Sequence, residues 1–81
     1  MIKKGDTVIV IKNLGHENFN FLINEIGIIE GIYTHYTKPH FAIKFNENIN
    51  KKLGFKINDW TEDEFKRLDI NTEQFVNILN L

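Results

Sequence analysis

The chain has 81 residues, a formal net charge of −1 and no cysteine. That length predicts one domain, and one that buries only about 60–65% of its unfolded surface. The missing cysteine excludes a disulfide framework, a thiolate zinc site and a cysteine nucleophile. Serine is absent too, so hydroxyl nucleophiles are confined to Thr7, Thr34, Thr37, Thr61, Thr72 and the two tyrosines. The apolar fraction of 42% is that of a globular domain. No apolar run approaches the ~18 residues of a membrane span, and no basic-then-apolar leader precedes the first strand. These features predict a cytoplasmic protein with no membrane partner. Charge is uneven along the chain. Residues 1–56 hold eight lysines against five acids, a net of +3, and residues 57–81 carry a net of −4.

In chain order, Asp6 to Lys12 is β-branched and predicts a strand. Both its faces are apolar, Val8 and Val10 on one and Ile9 and Ile11 on the other, so something must cover the second face. Asn13 to Glu25 is too apolar for a free loop and predicts an irregular hairpin over one end of the sheet. Ile26 to Tyr33 predicts a second strand, with Gly27 and Gly31 marking close approach or a bulge. Asn24 is suited to a left-handed turn before it. Thr34 to His40 reads as a turn. Phe41, Ile43 and Phe45 then alternate with Ala42, Lys44 and Asn46 as a third strand. Asn46 to Asn50 reads as a polar turn. Leu53, Phe55 and Ile57 repeat the alternation against Lys52, Gly54 and Lys56, predicting a fourth strand. Thr61 and Glu64 match a capping box, so a short helical turn is expected there. Phe65 to Asp69 predicts a fifth strand. A last helix is expected beyond Asn71, with Phe75, Val76 and Leu79 as its apolar stripe.

Three motifs now stand together: Gly5-Asp6-x-Val8-x-Val10, Asn24-x-x-Gly27-x-Ile29 and Trp60-x-x-x-x-Phe65. Over residues 3–69 the chain resembles an SH3-like β-barrel of the KOW type. The resemblance implies a mainly β fold, a small five-stranded barrel over 1–70; the apolar stripe beyond it predicts a short C-terminal helix at 71–81 packed on that barrel. The resemblance also implies a binding module that is not an enzyme and needs no cofactor. Members of this broad group bind RNA, ribosomal components, redox partners or regulatory proteins, so fold alone does not decide among these.

The residues supply candidates. Tyr33, His35, Tyr36 and Lys38 form an aromatic-basic loop suited to a protein partner. Trp60 sits among acids, including Asp59 and Glu62, either as a cap on the core or as an exposed anchor. Lys44, Lys52 and Lys56, with Tyr36, form the alternative: a lysine face for phosphates beside a ring for bases. The overall acidity and single arginine weigh against that alternative. The spacing of His35 and His40 with no cysteine predicts no metal site. The leading expectation is therefore a monomer or homodimer that docks on another protein, in the manner of a phage or mobile-element inhibitor or accessory protein. The alternatives are a nucleic-acid-associated domain and a small structural subunit of a multi-enzyme complex.

Overall fold

The structure, a computed structural model, describes residues 1–68. The helix expected at 71–81 lies outside the described residues. The β-branched run Thr7–Val10 forms β1, and Ile26–Tyr33 forms β2. His40–Lys44 is β3, Glu47–Leu53 is a helix, α1, and Phe65–Arg67 is β4. The four strands make one antiparallel sheet in the order β3-β2-β1-β4. The fold is thus mainly β, as expected, with four strands rather than five among the described residues.

The missing strand is the fourth. The stretch read as a turn and strand, Asn46 to Ile57, begins instead with α1. The Asn46 side chain accepts the Ile49 N–H at 2.9 Å and caps its start. Glu47 and Lys51 pair one turn apart at 3.5 Å. Gly54 ends it in the left-handed conformation, φ 78°. Ile49 and Leu53, four residues apart on one face, pack on the core. The Asn13–Glu25 connection is also helical rather than a hairpin: Glu17–Leu22 is a 3-10 helix that buries Leu22. Asn24 takes the left-handed turn expected of it, φ 71°, and its N–H donates to the Val10 carbonyl.

The core is the inner face of the sheet. Val8 and Val10 of β1, Ile29 of β2, Phe41 and Ile43 of β3, and Phe65 of β4 meet Leu22, Phe45, Ile57 and Trp60. Gly27 is where β2 crosses closest to this core. A Cβ there would overlap the Ile43 side chain and lie 2.9 Å from the Lys44 carbonyl. A register shift between Ile29 and Gly31 places a bulge in β2, and Tyr33 folds back over Gly31. Beyond α1, Phe41 and Trp60 exchange two backbone hydrogen bonds, of 2.8 and 3.1 Å. A 3-10 turn, Glu62–Glu64, then leads into β4. It forms where the capping pattern predicts, with the Thr61 N–H donating to Glu64 Oε1 at 2.8 Å. Among the described residues no helix is long and apolar enough to cross a membrane.

Candidate functional site

The β2–β3 hairpin gathers the aromatic loop. Tyr33 lies edge-on to His35, and Tyr36 stands between two imidazoles. The His35 ring is 4.1 Å from it on one side, and the His40 ring is stacked 4.2 Å away on the other. Tyr36 is half-exposed, stacked on His40 and tilted against His35. The Tyr36 ring is thus packed into the hairpin cluster while half of its surface stays exposed. His35 and His40 are held apart by the phenol and do not converge on a point.

Trp60 is fully buried, its ring 6.1 Å from that of Phe45. Of its two readings, the core cap is the one the structure realises, and the exposed anchor is corrected. Asp59 and Glu62 remain exposed beside it. Glu62 and Lys38 line one open cavity with Pro39, Thr61 and Asp63. Here the Thr61 hydroxyl donates to the Asp63 carboxylate and, with Lys12 at 3.3 Å, holds its pKa below the usual carboxylate range.

The lysines split. Lys44 and Lys56 line a second cavity of about 350 Å³, whereas Lys52 sits over the Phe21 ring at 4.7 Å. The Lys56 ammonium bonds the Glu30 carboxylate, and this raises its pKa above the ordinary lysine value. Tyr36 lies at the hairpin end, four residue steps of β3, or roughly 13 Å, from Lys44.

This second cavity is a cleft. One wall is the end of β3, with Ile43, Lys44 and Phe45; the other is the segment Leu53 to Ile57. Phe55 stands in it 59% exposed, the most exposed aromatic residue described, with its ring edge-on to Phe19 at 6.3 Å. His16 continues the aromatic row, 5.8 Å from Phe19. Sequence reasoning missed this site because it placed Phe55 on the inner face of a strand. The left-handed Gly54 that ends α1 is what turns Phe55 outward, and Gly54 was the available signal.

No family model matches the chain. No solved structure matches it significantly. A histidinol-phosphate aminotransferase of Clostridium novyi (strain NT) is similar to it, 30% identical over 71 residues, covering 75% of this chain and 20% of that protein. The chain spans about a fifth of the length of this curated relative. The likeness corrects the expectation that the chain is not an enzyme, because the sequence it matches is part of one.

Proposed function

We propose that the chain is a protein-docking module on an SH3-like barrel of the KOW type, working on a cytoplasmic host complex as an accessory or inhibitor. Support for the barrel is the course of residues 60–67. Trp60 pairs with β3 at one edge of the sheet, and β4 pairs with β1 at the other. One segment thus touches both edges, which is how a small sheet closes on itself.

The observation that carries docking is Phe55. A phenyl ring this exposed, at the mouth of a cleft and bordered by lysines, is typical of a docking anchor. Phe55 lies outside the buried core and meets it only through Phe19, so Phe55→Ala is expected to fold, as circular dichroism would check. Capture from host lysate is expected to recover one specific protein with the unaltered chain and with Tyr36→Ala, and to lose it with Phe55→Ala. Equal recovery by all three would refute the assignment.

The aminotransferase likeness favours a second reading, in which the module acts within or beside an enzyme. Transaminase activity that co-purifies with the chain, and is lost with Phe55→Ala, would support it. An enzyme-free partner would not.

A further inference from the structure

We infer that the cleft beside Phe55 takes an acidic, extended peptide segment, which adds as a short strand to the edge of β3. The inference rests on the docking reading above and names the chemistry of the partner. It starts from the backbone of Ile43. In an antiparallel ladder, alternate residues turn their N–H and C=O to the same side. Phe41 turns both outward, to Trp60. Ile43, two residues on, faces the same way. Its opposite neighbour Ile29 confirms this: the Ile29 N–H donates to the Asp6 carbonyl and its carbonyl accepts from Gly5, so both point to β1 and away from Ile43. Phe45 continues the outward row, its carbonyl accepting from Asn50 Nδ2 at 2.9 Å.

The outward edge of β3 therefore has a Trp60 partner at one end and an Asn50 partner at the other. Between them, Ile43 has no backbone partner among the described residues. Across the cavity, the segment Gly54 to Ile57, where a strand was expected, forms no ladder with β3. An added strand would fill that gap, since an exposed sheet edge is a template for one.

Charge selects the occupant. Lys44 and Lys56 both line the cleft, with Glu30 the one acid. Glu30 is matched to Lys56, and Lys44 makes no ion pair among the described residues. An alternating peptide would set apolar side chains against Phe55 and Leu53 and its carboxylates beside Lys44.

The test is a titration of the isotopically labelled full chain with a blocked valine–aspartate pentapeptide and its valine–lysine counterpart, followed by NMR. The expected result is saturable binding of the acidic peptide alone. The Ile43 amide should shift most and gain protection from exchange. Lys44→Glu, an exposed substitution, should weaken binding about tenfold, and added salt should weaken it further. Equal binding of both peptides, shifts centred on the β2–β3 hairpin, or the same shifts produced by oligouridylate RNA would each overturn it. If lysate capture still depends on Phe55 while the acidic peptide does not bind, this inference fails and the docking reading stands. If capture fails as well, both fall.

Discussion

Gly27 has no room for a methyl group: its neighbours are the Ile43 side chain, the Lys44 carbonyl and the Phe45 ring. Gly27→Ala is expected to destabilise the protein by about 1–3 kcal/mol through overpacking, lowering Tm by roughly 5–20 °C in a thermal melt. Trp60 makes the opposite case. Truncating a buried aromatic costs about 3–5 kcal/mol, close to the whole stability of so small a domain. Trp60→Ala should lose its cooperative urea transition. Trp60→Phe should keep one, because it retains a ring and removes a buried indole N–H that has no partner. Some of this scale was legible in the sequence. Asn24 before Gly27 announced a left-handed turn, and the pairing of Thr61 with Glu64 announced the 3-10 turn. The burial of Trp60 was legible as the favoured of two readings, a cap on the core, although its acidic neighbours also suit a rim.

The elements show where the reading failed and why. Leu53, Phe55 and Ile57 alternate as a strand would, but Ile49 and Leu53 also fit one face of a helix. Local capping decided between the two patterns: Asn46, the Glu47–Lys51 pair and Gly54 all favour α1. Asn46→Ala should cost about 1 kcal/mol, measurable by urea denaturation. Strands β1 and β2 were legible from their β-branched runs and β3 from its alternation of Phe41, Ile43 and Phe45 with Ala42 and Lys44. Two exposed charged contacts each add a small pH-dependent contribution. Asp63 has a lowered pKa, through the Thr61 hydroxyl first and Lys12 second. Its contribution is present above the ordinary carboxylate range and lost as pH falls through the lowered value. Thr61→Val should flatten that acid limb. Lys56 has a raised pKa, through its bond to Glu30. Its contribution holds below the ordinary lysine range and is lost as pH rises through the raised value. Lys56→Met should remove the alkaline dependence in melts recorded across pH.

At the scale of the whole molecule, one sheet edge is left partly open beside an exposed ring, and the docking proposal rests there. The cleft was not legible from pattern alone. It exists because α1 replaces a strand, so the chain returns to β3 only at Trp60 and leaves the backbone of Ile43, whose side chain is buried, without a partner among the described residues. The hairpin cluster, by contrast, was legible as residues but not as the packing of Tyr36 against both His35 and His40. The most direct measurement is in-cell photo-crosslinking from a benzophenone side chain placed at position 55 or at position 36, read by mass spectrometry. The account predicts a discrete protein adduct from position 55, suppressed by Lys44→Glu, and none from position 36. Adducts to RNA, or a protein adduct from position 36 alone, would contradict it.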